Sequence, residues 1–144
     1  MHKLLHPRVP FGLDAVLLVT RVLVGVVLLA HGLQKLNTFT PAGTEMFLDG
    51  AGVPLAGIAA WWLIITEIGG GALLIAGLLT PLVALLSLAN MVGAFFFVHA
   101  GNGLFVDNGG YELVAVLIAA LVPLTLLGAG RLSLDGAIAR PVTA

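Results

Sequence analysis

The chain has 144 residues, 60% of them hydrophobic and 9% charged, with a mean hydropathy of +1.14, where an ordinary soluble domain carries about 25% charged residues. This composition describes an integral membrane protein with room for a single domain over residues 1–144. A net charge of −1 excludes the basic surface of a nucleic-acid binder, and the absence of cysteine excludes disulfides, thiolate metal sites and a dithiol relay within this chain.

Residues 1–10 form a short polar leader with His2, Lys3, His6 and Arg8, and a first apolar run follows over about residues 12–36. Arg21 interrupts that run, and a cleavable signal has a shorter apolar core without an arginine, so an uncleaved anchor is expected. In the connector over residues 38–53, Thr40 can cap, Pro41 suits a first helical position, and Gly50 and Gly52 can end the turn. The expected result is a short surface helix whose Met46, Phe47 and Leu48 rest on the lipid interface or pack over the bundle mouth.

The second run, residues 54–79, carries Trp61, Trp62 and Glu67. It ends at Thr80-Pro81, where a proline in the first helical turn opens the third run, residues 81–98, after a tight hairpin. A Gly- and Asn-bearing loop over residues 99–110 leads to the fourth, residues 111–127, which Gly128 and Gly130 terminate. Ser133-Leu134-Asp135 reads as the cap of a short tail segment before Arg140-Pro141. The fold expected is all-α: an integral membrane four-helix bundle. Lys3 and Arg8 before the first span and Arg131 and Arg140 after the fourth, against Lys35 alone toward the other side, place the N and C termini in the cytoplasm.

At 1.5 Å per residue, with span ends taken as level, Arg21, Glu67 and Asn90 fall roughly 13–18 Å from the cytoplasmic face, and His31, His99 and Glu112 roughly 24–28 Å from it. In the inner layer an Arg21–Glu67 ion pair is expected, with Asn90 beside it, because an unpartnered charge at the bilayer centre is costly. The pair can serve as a structural bridge between helices, or Glu67 can handle protons or bind a ligand. Gly69-Gly70-Gly71 removes bulk next to Glu67, for close helix packing or for a ligand, with Gly25 and Gly32 as natural counterparts.

In the outer layer His31, His99 and Glu112 come from three helices, with Gln34 and Lys35 one turn from His31. Such a cluster can hold a quinone carbonyl or relay a proton. It lacks a recognised metal-ligand spacing, so no metal is expected. Lys35 can instead snorkel to the headgroups. Asn90 and His99 are nine positions apart, on opposite faces of an ideal helix, so either the third span is distorted or one of the two faces away from the interior. Trp61, Trp62 and Phe95-Phe96-Phe97 read as lipid-facing or packing aromatics.

Arg21 with Gly25 and 31-HGLQKL-36, Gly52-Val53-Pro54 leading to Glu67-Ile68-Gly69-Gly70, 77-GLLTP-81, Asn90-Met91, Gly110-Tyr111-Glu112 and 130-GRLSLD-135 together make the chain similar to the DoxX family of small bacterial membrane proteins. The resemblance covers almost the whole chain and implies a compact four-helix bundle. It also implies quinone-linked oxidation of sulfur compounds, or a place in an oxidative-stress complex with soluble enzymes.

The function expected is therefore a small subunit of a quinone-linked redox complex in the bacterial plasma membrane, with His31, Gln34, Lys35, His99 and Glu112 as the candidate quinone site. The alternatives are an anchor for soluble enzymes and a small-solute or proton carrier. Partners expected are the bilayer, other subunits or soluble redox enzymes, and a second copy of the chain.

Overall fold

Apolar stripes repeating every three to four residues organise the helices, and proline, glycine and left-handed residues separate them. The computed structural model describes residues 10–139; the leader with Lys3 and Arg8 and the final Arg140-Pro141 lie outside the described residues. The helices are α1 (Pro10–Asn37), α2 (Thr40–Gly50), α3 (Ala56–Ala76), α4 (Thr80–Ala94), α5 (Glu112–Leu127) and α6 (Leu134–Ile138), with no strand among the described residues. Three stretches, Gly12–Asn37, Ala56–Ala76 and Thr80–Asn102, are long and apolar enough to cross a bilayer. The chain is a multi-pass membrane protein. The fourth expected span is present as α5, a shorter apolar helix of 16 residues with Pro123 inside it.

α1 packs on α3, α3 on α4, α4 on α5, and α5 returns to α1, so four helices close a ring onto which α2 folds through α3. Leu17 and Leu28 of α1, Leu74 of α3, Ala84 and Met91 of α4 and Leu121 of α5 meet in one core. α2 turns Leu48 toward Ala56 and Ala60 and leaves Met46 and Phe47 exposed, so packing and interface exposure are divided between its faces. Thr40 Oγ1 accepts the Gly43 N–H at 3.2 Å, as a capping residue should.

The tightest seam lies between α1 and α3. A Cβ added to Gly25 would stand 2.7 Å from the Gly71 carbonyl oxygen, and one added to Gly32 would stand 2.9 Å from Glu67 Cβ. The two backbones touch because no side chain separates them. Gly69 takes no part and has open space around it, while Gly70 faces Val83 of α4.

These contacts set the register, with Gly32 opposite Glu67 and Ile68, and Gly25 opposite Gly71 and Ile75. α1 therefore overhangs the C-terminal end of α3 by more than two turns. The C-terminal segment covers this overhang: the Arg131 backbone N–H and Nε donate to the two carboxylate oxygens of Asp14 at 2.8 and 2.7 Å.

α4 continues into a π-helical turn, Phe95–His99, before two short 3-10 turns, Ala100–Asn102 and Val106–Asn108. The extra residue in a π turn rotates everything after it, so the third span is distorted between Asn90 and His99.

Candidate functional site

Buried positions on α3 include Ala60, Ile64, Glu67, Gly71 and Leu74, which recur at helical spacing and carry Glu67 into the bundle. Its carboxylate is 4% exposed as a residue, and its partner is Lys35, whose Nζ lies 2.8 Å from Glu67 Oε2. Lys35 is thus held inside the bundle and does not run free to the headgroups. It comes from the end of α1, and its side chain slants back toward the N-terminus of that helix, as helical side chains do, to reach the level of Glu67. His31 is one turn before Lys35 and adjacent to Gly32, which faces Glu67. It is half-buried and makes no side-chain hydrogen bond to the described residues.

The expected Arg21–Glu67 pair does not form. Arg21 is 2% exposed, yet its Nη1 donates to the Leu74 carbonyl at 2.9 Å and to that of Ile75, while Nη2 donates to the Leu132 carbonyl at 2.6 Å. The physical reason is the overhang of α1: the span ends are not level, so Arg21 lies at the C-terminus of α3 instead of beside its midpoint. There a cation meets the negative end of the helix dipole and the carbonyls of the last turn, where the regular hydrogen-bond ladder runs out.

The same end carries a latch. Asp135 Oδ1 and Oδ2 accept the Leu79 and Thr80 N–H groups at 2.9 and 3.0 Å, and the Asp135 N–H donates to the Gly77 carbonyl at 2.9 Å. Ser133 caps α6 through the Gly136 N–H at 2.9 Å. α6 thereby supplies acceptors to the start of α4, where Leu79 holds a left-handed φ of 53°. A Cβ on Gly77, itself at φ 70°, would stand 2.8 Å from Arg21 Cζ, so only glycine leaves room for the guanidinium.

Asn90 is likewise not a neighbour in an Arg21–Glu67 layer. Its Oδ1 accepts the Trp62 Nε1–H at 2.9 Å and its Nδ2 donates to Thr66 Oγ1 at 2.8 Å, which ties α4 to α3 on the outward side.

Two members of the expected outer cluster bond to loop backbone. His99 Nδ1 donates to the Gly109 carbonyl at 2.6 Å, and Glu112 Oε1 accepts the Val106 N–H at 2.6 Å. Both side chains therefore anchor the loop between α4 and α5. No three His, Asp or Glu side chains among the described residues are grouped closely enough for a metal ion, so His31, His99 and Glu112 do not form one metal-holding group. Gln34 is exposed. What the structure brings together is Lys35 and Glu67, with His31 at the same level. Asp14 was the residue that sequence reasoning passed over. The signal was present, since an acidic side chain inside an apolar run needs a partner just as Glu67 does.

The sequence model described as DoxX matches residues 16–100, well over half of the chain. The chain belongs to the DoxX family. A Bacillus subtilis (strain 168) protein named "Putative oxidoreductase CatD" is 30% identical over 118 residues, which cover 82% of this chain and 83% of that protein. No solved structure matches. The matched region of the DoxX model holds Arg21, His31, Lys35, Glu67, Asn90 and His99, and stops before Glu112 and the latch.

Proposed function

We propose that this DoxX protein is the membrane-embedded subunit of a redox complex in the bacterial cytoplasmic membrane, and that His31 and Lys35, with Glu67 behind them, form its quinone-contacting site. The observation that carries the proposal is the Lys35–Glu67 bridge at 2.8 Å with a histidine one turn away that makes no side-chain hydrogen bond to the described residues. The name of the Bacillus relative supports the redox direction.

A quinone headgroup needs hydrogen-bond donors at its carbonyls beside an apolar wall. His31 offers a ring N–H, and the Lys35 ammonium has N–H groups beyond the one given to Glu67. Both are half-buried on a largely apolar helix, so the residues fit such a group. When bound, the quinone supplies a two-electron, two-proton couple. Within the chain, Glu67 holds Lys35 at a fixed depth, and Lys35 and His31 orient the ring, with the His31 imidazole as the proton-handling group beside it. The chain has no cysteine, so thiol oxidation would belong to a partner subunit. His99 and Glu112 support the neighbouring loop and leave the headgroup to His31 and Lys35.

Titration of the purified protein with a short-chain quinone tests this reading. His31→Ala is expected to weaken binding roughly tenfold, the cost of one hydrogen bond to a buried carbonyl, while His99→Ala leaves affinity in place. Affinity unchanged in both His31→Ala and Glu67→Gln overturns it.

A further inference from the structure

On the outward side of α3, Gly57, Ile58, Trp61, Trp62 and Ile65 fall at helical spacing on one stripe and line an open groove, closed at its upper end by Glu45 of α2. Trp61 and Trp62 are 52% and 48% exposed, so their rings line the wall instead of filling the core. The Trp62 ring is held in place by its hydrogen bond to Asn90. Glu45 is exposed and makes no ion pair with the described residues. It leans on α3 at Gly57, where an added Cβ would meet its Oε1 at 3.0 Å. The groove thus sets a carboxylate beside Gly57 and Ile58 at one end, the two indole rings one turn further on and Ile65 at the far end, over about 12 Å of helix.

That polarity matches one kind of molecule. A primary ammonium donates hydrogen bonds to a carboxylate and is attracted by indole faces, and an acyl chain covers exposed isoleucine. We propose that the groove binds phosphatidylethanolamine, with its ammonium at Glu45 and Trp61 and its acyl chain running down past Trp62 and Ile65. A soluble amine would leave the apolar lower half uncovered, and an anionic lipid would bring its phosphate against Glu45 without the compensating ammonium. The site is separate from the His31–Lys35–Glu67 group and does not depend on its function.

Trp61 and Trp62 are the two tryptophans of the chain, so their fluorescence reports on this groove. The protein is reconstituted in phosphatidylcholine vesicles doped with bromoacyl phosphatidylethanolamine or bromoacyl phosphatidylglycerol, and quenching gives the relative association constants. The ethanolamine lipid is expected to associate about three- to fivefold more strongly, in line with one exposed cation–π contact plus a charge-assisted hydrogen bond. Glu45→Gln should bring the ratio close to one, and Glu45→Lys should invert it. Equal quenching by the two lipids in the unaltered protein, or a preference that survives both substitutions, overturns the proposal.

Discussion

Removing one member of the Lys35–Glu67 bridge strands the other charge inside the bundle, whereas removing both leaves only a packing fault. Lys35→Met or Glu67→Leu alone should each destabilise the protein by about 3–5 kcal/mol, and the double substitution by clearly less than the sum. Reversible unfolding in mixed micelles measures all three, and additive losses would show that the charges do not act as a pair. Arg21 is a different case, because its fork reaches three carbonyls on two segments. Arg21→Lys keeps the charge but cannot span that geometry, so the melting temperature should fall even though the substitution is conservative in charge. That both Arg21 and Glu67 face inward was legible, since each falls on a buried stripe of its helix. Which residue meets which was not: residue counting locates a side chain along its own helix and says nothing of how far one helix slides past the next.

At the scale of elements, the α1–α3 seam decides the slide. Gly71→Leu would drive a side chain into the Leu29 backbone, 2.6 Å from where its Cβ must stand, while Gly69→Ala meets open space. The first should abolish the folded state, and the second should leave the melting temperature within a degree or two; circular dichroism in detergent separates them. The latch obeys the same logic at the other end of α3. Asp135→Ala withdraws acceptors from the two N–H groups that open α4 and is expected to cost about 1–2 kcal/mol, as the loss of a helix cap does. The Ser133 cap was visible in the sequence because capping is local. The reach of Asp135 to Leu79 and Thr80 crosses more than fifty residues and had no local signal.

For the molecule as a whole, the Asp14–Arg131 contact brings the start of α1 and the segment after α5 to one end of the bundle, and α2 lies at the other. The sequence expectation drawn from Lys3, Arg8, Arg131 and Arg140 is that this end is the cytoplasmic one. The absence of cysteine makes a direct check available. In intact cells a membrane-impermeant maleimide should label Asp49→Cys and spare Ala139→Cys, and the reverse pattern would invert the orientation.

The sequence by itself determined that this chain enters a bilayer, where its helices run and that Arg21 and Glu67 turn inward, because burial in lipid and helical periodicity act on neighbouring residues. Only the tertiary structure decided that Glu67 takes Lys35, that Arg21 caps α3, and that His99 and Glu112 serve a loop. Those outcomes follow from the offset between α1 and α3, and the backbone contact of Gly25 with Gly71 sets that offset at a distance no local pattern records.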